Sequence, residues 1–374
     1  MQHQRTNTLA DSQIKTLTKV TVFTTVYNGL PFLKDAIEST LNQTYADFDY
    51  LIIDDCSTDE SVQLIESYDD SRIRLVKNNK NLGTAGTINK GLSIIDSKYI
   101  VRSDQDDVSL PNRIEEQIRY LENNPGIDVV CSWEHTIDQN GNKLRSWKAE
   151  INNYGEFLGP ILLGLCPIWH PSIVFKTDAL VNAGGFNADY VGAEDFEVTT
   201  RIALKRLNAA IVPKFLLLQR QHNKSQSVQL GNKMTDVTRI IHIEALNDFI
   251  DGHLVNEFGD YLRAVSLPHV RSNSKLQLLD FSRMMYELFD AVEEKQNLTN
   301  EEMKSLKKVF MKRLGLGLFF CHNFQFVPSF LFNLLFTVLS PLTHRSIRRV
   351  LSKAYYFYHA SGLVGVKNST KNIL

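Results

Sequence analysis

Three carboxylates in four positions, Asp104, Asp106 and Asp107 of "YIVRSDQDDVSLPNR", stand directly behind an apolar run and ahead of a proline. Like charges that close repel one another, so the stretch calls for a positive partner. Asp104 and Asp106, at i and i+2 at the end of a strand, can both reach one hard divalent cation such as Mg2+ or Mn2+, with a diphosphate completing the coordination. The same residues also read as a solvated acidic turn that caps the following helix. Other loops add to the first reading. "IIDDCSTDES" supplies Asp54 and Asp55, and "TTVYNG" supplies Tyr27 and Asn28, an aromatic ring and an amide suited to stack on and hydrogen-bond a base. No GxGxxG follows the first strand and no GxxxxGK[ST] occurs, which excludes the dinucleotide fingerprint and the P-loop.

The elements that must position these residues alternate between strand and helix. Strands are expected at 20–26, 48–55, 73–78 and 99–104, with helices at 32–43, 59–68 and 84–95 between them, the pattern of βαβ units and a parallel sheet. Asp59 would cap or charge the second helix. In such sheets ligands bind outside the carboxyl ends of the strands, so the loops 27–29, 54–59, 78–83 and 104–107 should converge on one rim. Beyond Pro111 the pattern predicts a helix to Asn124, a strand at 127–133, a hairpin around 138–142, a strand at 170–175 and a tight turn at Gly184 and Gly185. A helix at 194–206 with Glu194 and Asp195 at its start follows, then extended chain at 209–222. The stretch between Ile137 and Leu165 reads as loops, and from Asn232 the pattern is helical.

The 374 residues, 43% of them apolar, suffice for two domains or one large one with an appendage. Cys56, Cys131, Cys166 and Cys321 stand far apart without metal-ligand spacing, which argues against a disulfide framework or zinc site and fits a reducing compartment. Residues 1–17 read as a polar, flexible leader without a signal-peptide core. No Asp or Glu follows Glu302, whereas eleven of the 41 Lys and Arg do, so the first 302 residues carry 30 basic against 42 acidic side chains, a formal charge of −12. An acidic body is not a nucleic-acid binder's footprint. Between Arg313 and Arg345 no charged side chain occurs, and the basic groups at 304–313 and 344–353 flank this apolar stretch. An in-plane or re-entrant anchor on an anionic membrane is one reading, and a buried helical hairpin with a basic face is the other.

"TTVYNGLPFLKDAIESTLNQTYADFDYLIIDDCSTDES", "NLGTAGTINKGL", "RSDQDDVSLPNRIEEQ" and "HPSIVF…AGGFN…GAEDFEVTTRIAL" occur in this order over residues 18 to 225. In this the chain resembles the family-two inverting glycosyltransferases of the GT-A fold. The resemblance implies an α/β, Rossmann-like, mostly parallel twisted sheet flanked by helices, which with the boundary read from the pattern takes in residues 18–231. The helical pattern gives a mainly helical region at 232–374, and its charge and apolar content give a basic, apolar tail (about 304–353) that associates with a membrane. It implies that Thr25, Val26, Tyr27, Asn28, Asp54, Asp55, Asn81, Gly83, Arg102 and Asp104 bind the nucleotide, and that Asp106, with Asp104 and His222, holds Mn2+ or Mg2+. Asp195 would be the general base and Glu194 its neighbour near the acceptor hydroxyl. Asp107 would point into the fold or cap the next helix, and His170 would serve structure. The expected activity is transfer of a hexose or N-acetylhexosamine from a UDP-sugar to a glycan or lipid-linked acceptor in capsule or lipopolysaccharide assembly, at the cytoplasmic face of an inner membrane and without nucleic acid. A non-catalytic nucleotide- or glycan-binding module is the alternative. A sugar-nucleotide pyrophosphorylase is disfavoured, because its Gly-rich basic N-terminal signature is missing.

Overall fold

A computed structural model describes residues 19–250, 252, 254–266 and 278–317. The leader at 1–17 and most of the apolar tail, including 318–353, lie outside these residues. The chain forms two compact units that interleave in sequence: one holds residues 19–149, 169–188 and 211–223, and the other holds 150–168, 189–210 and the described residues from 224 onward.

The first unit begins with strand β1 (Val20–Val26), helix α1 (Leu33–Leu41), β2 (Asp49–Asp54), α2 (Ser61–Glu66), β3 (Ile73–Lys77), α3 (Gly83–Leu92) and β4 (Tyr99–Arg102). The four strands are parallel in the order β3-β2-β1-β4. Unbroken apolar runs such as "YLII" of β2 suit strands covered on both faces, and β1, β2 and β4 are buried along nearly their whole length. Helix α1 buries Leu33, Ala36, Ile37 and Thr40, one stripe at helical spacing. Gly91 lets α3 lie close to the sheet, since a Cβ there would stand 2.2 Å from the Phe23 ring.

Next come β5 (Val108–Ser109), α4 (Arg113–Asn123), β6 (Val129–Ile137) and β7 (Lys143–Trp147). The chain continues through α5 (Tyr154–Ile161) in the second unit, then a 3-10 turn (His170–Ser172), β8 (Val174–Lys176) and α6 (Thr177–Ala183) in the first. Helix α7 (Glu194–Leu204) belongs to the second unit, and β9 (Ala209–Arg220) ends in the first. Strands β8, β6, β9 and β5 extend the parallel half in that order, and β7 pairs with β6. Of these pairings, β4 with β8, β8 with β6, β6 with β7 and β5 with β9 are antiparallel, so the sheet is mixed.

Two local expectations need correction. The strand expected at 170–175 starts only at Val174, because Pro171 lacks an N–H for a ladder and sits instead at the head of the 3-10 turn. The hairpin expected around 138–142 is formed by β6 and β7, but the rest of the stretch to 165, read as loops, contains α5. In α5 the Asn153 side chain accepts from the Glu156 amide and Glu156 accepts from the Asn152 amide, a capping arrangement that Gly155 and Pro160 obscure in the sequence.

The second unit is helical, with α8 (Gln226–Leu230), α9 (Asn232–Asn247), α10 (Val255–Ser266), α11 (Leu278–Gln296) and α12 (Asn300–Gly317) joining α5 and α7. Ala193, Phe196 and Ile241 form a buried cluster there, and Arg206 makes a two-pronged ion pair with Glu302 at 2.8 and 3.0 Å. His242 is wholly buried and its Nε2 faces the Leu162 carbonyl at 3.0 Å. Among the described residues no helix is long and apolar enough to cross a membrane.

Candidate active site

Because β1 to β4 run parallel, their carboxyl ends open on one rim, and hydrogen bonds knit the loops there. The Asn28 amide donates to Ser57 Oγ at 3.0 Å, and its side-chain oxygen accepts from the Thr58 amide at 2.8 Å. The Tyr27 amide donates to Gln105 Oε1 at 2.9 Å, which ties the first loop to the acidic one. Tyr27 itself is 48% exposed, leaving its ring face available to a planar ligand. Thr25 and Val26 end β1. Asp59 accepts from the Ser61 amide at 3.0 Å at the head of α2, as its position suggested.

Asp54 and Asp55 are both buried. Asp54 accepts from the Ser57 amide within its own turn. The Asp55 carboxylate accepts from Asn78 Nδ2 at 2.7 Å and from the backbone amides of Leu82 at 2.8 Å and Gly83 at 2.9 Å. Asn81 Nδ2 donates to the Asp55 carbonyl at 3.2 Å. Asp55 is thus the post on which the 78–83 loop closes, and Gly83, with φ of 71°, occupies backbone space that favours glycine.

The crowded carboxylates find their partners through the antiparallel register of β5 and β9, in which Val108 faces Leu218. Continuing that ladder outward brings Asp106 and Asp107 to Arg220 and His222. His222 Nε2 lies 2.8 Å from Asp106 Oδ2, and the Arg220 amide donates to Asp107 Oδ1 at 2.8 Å. The Arg220 guanidinium also donates to the Asp106 carbonyl and to Asp35 of α1, and it lies 4.7 Å over the Phe32 ring. Arg102, buried beneath the loop, pairs with Asp104 at 2.9 Å. Arg113, wholly buried, donates to Ser109 Oγ, the Arg102 carbonyl and the Pro171 carbonyl.

Burial, then the charge of Asp104, raises the Asp106 pKa, and His222 pulls it back. Asp107 is pushed well above the usual carboxylate range by burial and by both neighbouring aspartates. Burial brings Arg113 down to about 10, with Asp107, Asp104 and Glu134 opposing, so it stays charged at neutral pH. Desolvation also lowers Arg102, offset by Asp104. The sequence singled out Arg102 for the nucleotide and His222 for the metal rather than as partners of the carboxylates, and it did not single out Arg113 or Arg220 at all. Their signal was faint: Arg113 and Gln117 fall on the apolar stripe of α4, where charged and polar residues are out of place unless bonded.

Asp104, Asp106 and His222 are not gathered into one cage, and among the described residues no group of three or more His, Cys, Asp or Glu is arranged to hold a metal ion. Asp106 and His222 are together, whereas Asp104 Oδ1 is turned to Arg102. Asp107 points into the fold. His170 packs edge-on against Phe186 at 5.4 Å. Gly184 and Gly185 form the expected turn with φ of 95° and 67°, ending α6.

In the second unit, Glu194 and Asp195 open α7 together with Glu197, where negative charge favours a helix N-terminus. Glu194 is buried, folds back to accept from the Gly192 amide at 2.8 Å and has its pKa raised by that burial. Asp195 remains partly exposed and accepts from the Phe196 amide at 2.7 Å.

A profile described as Glycosyl transferase family 2 matches residues 21–176. An uncharacterized glycosyltransferase of Methanocaldococcus jannaschii is 34% identical over 196 residues, covering 52% of this chain and 67% of that one. Another, of Haemophilus influenzae, is 26% identical over 331 residues and covers 78% of this chain and 97% of its own. The crystal structure of S. aureus TarS 1–349 in complex with UDP-GlcNAc superposes with a TM-score of 0.52 at 16% identity, over 80% of this chain and 90% of that one, a likeness of fold. A sheet of this order with loops gathered at its carboxyl rim is the GT-A architecture. The chain belongs to glycosyl transferase family 2.

Proposed function

We propose that the protein is an inverting, divalent-cation-dependent transferase that moves a hexose or N-acetylhexosamine from UDP to a hydroxyl of a glycan or lipid-linked acceptor in cell-surface polysaccharide synthesis. The observation that carries this reading is the rim itself, where Tyr27, Asn28 and Asp55 adjoin an acidic loop whose Asp106 is held by His222 at 2.8 Å. The UDP-GlcNAc bound by TarS, a protein of like fold, supports a uridine donor.

Tyr27 would stack on the base. Asn28, Asp54, Asp55, Asn81 and Gly83 would frame base and ribose, with Arg102 and Asp104 beneath. Two carboxylates and an imidazole suit Mn2+ or Mg2+ once a diphosphate adds oxygens, and Asp106 with His222, joined by Asp104, would hold the ion. When bound, the cation offsets charge on the departing phosphate oxygens. Asp195 takes the proton of the acceptor hydroxyl as that oxygen forms a bond to the anomeric carbon, and the bond from this carbon to the phosphate oxygen breaks from the opposite face. UDP leaves with the electron pair, and an α-linked donor yields a β-linkage. Glu194, folded onto the Gly192 amide, would fix the start of the helix that presents Asp195.

Incubation with UDP-sugars, Mn2+ and candidate acceptors should release UDP, and Asp106→Ala or Asp195→Asn should each slow release at least a hundredfold. Release that neither substitution diminishes would remove the assignments of metal ligand and base. The basic groups at 304–313, on α12, and at 344–353, outside the described residues, would meet anionic lipid on the cytoplasmic side.

A further inference from the structure

Side chains along β6 alternate between two faces. Trp133 and His135 take one, where Phe215 stacks on the His135 ring with centroids 3.9 Å apart. Glu134 takes the other, opposite Trp147 of β7 in the antiparallel register. The rings of Trp147 and Trp169 lie 5.5 Å apart with their planes at 35°. Glu134 is completely buried, and neither of its carboxyl oxygens has a hydrogen-bond partner. The buried Trp169 indole N–H stands beside that carboxyl without completing a hydrogen bond to it. Asp104, Arg113 and Arg145 are close enough to act on its charge. Burial pushes the group up to about 8. Native interiors leave few polar groups unsatisfied, and such exceptions call for a reason.

We propose that Glu134 and Trp169 form a hydroxyl-reading subsite for a pyranose, walled by Trp147 and adjoining Asp104. The proposal rests on the nucleotide-sugar reading above and adds to it the residues that select the sugar. The carboxyl group hydrogen-bonds two ring hydroxyls, the indole N–H donates to a third oxygen, and the indole faces pack on the C–H face of the ring. A site whose polar groups are left unpaired by the wrong ligand discriminates strongly between stereoisomers and deoxy forms. Because the carboxyl is closed off from solvent, entry requires a covering side chain to turn aside, and half-buried Trp169 is the one assigned here. The pyranose is the transferred sugar or the terminal residue of the acceptor, which present the same chemistry.

The test is calorimetry and tryptophan fluorescence with UDP, GDP, UDP-glucose, UDP-galactose and UDP-N-acetylglucosamine in Mn2+. It is run on the unmodified protein, Glu134→Leu, Glu134→Gln and Trp169→Phe, with rates measured against p-nitrophenyl pyranosides. The expected result is nucleotide affinity unchanged within about twofold in Glu134→Leu, with a ten- to hundredfold loss of the extra affinity that the preferred hexose confers. Glu134→Gln should restore part of it, and fluorescence should respond to the UDP-sugar but not to UDP. A loss confined to the KM for the pyranoside supports the same contacts on the acceptor. An unchanged hexose increment and unchanged pyranoside KM in Glu134→Leu and Trp169→Phe overturn the subsite, as does an equal fall in affinity for UDP and UDP-sugar. Should the Glu134 variants fail to fold by circular dichroism, Trp169→Phe decides alone. Absence of nucleotide binding by the unmodified protein overturns the donor reading itself, a separate result.

Discussion

Arg113 keeps its charge in the interior because its guanidinium donates four hydrogen bonds, to Gln117, Ser109 and the carbonyls of Arg102 and Pro171, with Asp107 and Asp104 nearby. Removing one member of such a network leaves buried carboxylates uncompensated. Arg113→Met should therefore lower unfolding free energy by about 3–5 kcal/mol in urea titration. Arg119→Met, which breaks an exposed pair with Glu116, should cost less than about 1 kcal/mol. At this scale the sequence displayed the acidic residues clearly and their partners poorly. Asp104 and Asp106 stand out by spacing, whereas Arg220 reaches Asp106 and Asp107 only through a ladder between segments more than a hundred residues apart.

Among the elements, β1 to β4 and the helices between them were legible because apolar runs and turn residues alternate cleanly, and the resulting rim follows from their shared direction. Helix α5 was hidden, since its glycines read as loop. Those glycines have a packing reason: a Cβ on Gly155 would lie 1.9 Å from the Glu302 carbonyl of α12, and one on Gly159 would lie 3.1 Å from Val309. Gly155→Ala should force α12 away and cost about 1–3 kcal/mol despite alanine's better helix propensity. Gly126→Ala, where nothing stands within 4 Å, should shift the urea midpoint by no more than about 0.5 kcal/mol equivalent. Equal midpoints for the two variants would contradict the close approach.

For the whole molecule, two buried groups set opposite pH limits. Burial depresses His242 from 6.5 to about 4, so the unfolded chain binds more protons between those values and stability falls as pH drops through that window, by about 3 kcal/mol. Burial raises Glu134 from 4.5 to about 8, so there the folded chain binds more protons and stability falls as pH rises through that window. Urea midpoints measured from pH 4 to 9 should peak in the mildly acidic range. His242→Leu should flatten the acid limb and Glu134→Leu the alkaline one; an unaltered profile in either variant would show that the group titrates normally. Neither limit was visible in the sequence, because His242 and Glu134 differ from any solvated histidine or glutamate only by what surrounds them.

The interleaving of the two units bears on how the chain is made. Strands β1 to β4 have been synthesised by residue 102, and the acidic loop follows at once, yet Arg220 and His222 are added last to that unit. At about 5–20 residues per second, the loop waits roughly 6–24 s for them. During that interval Asp106 and Asp107 lack the ladder that holds them, and the sheet edge that β9 will occupy is open. A nascent chain arrested at residue 200 should accordingly fail to retain UDP, and one released beyond residue 223 is the first in which the donor loop is tied at both ends.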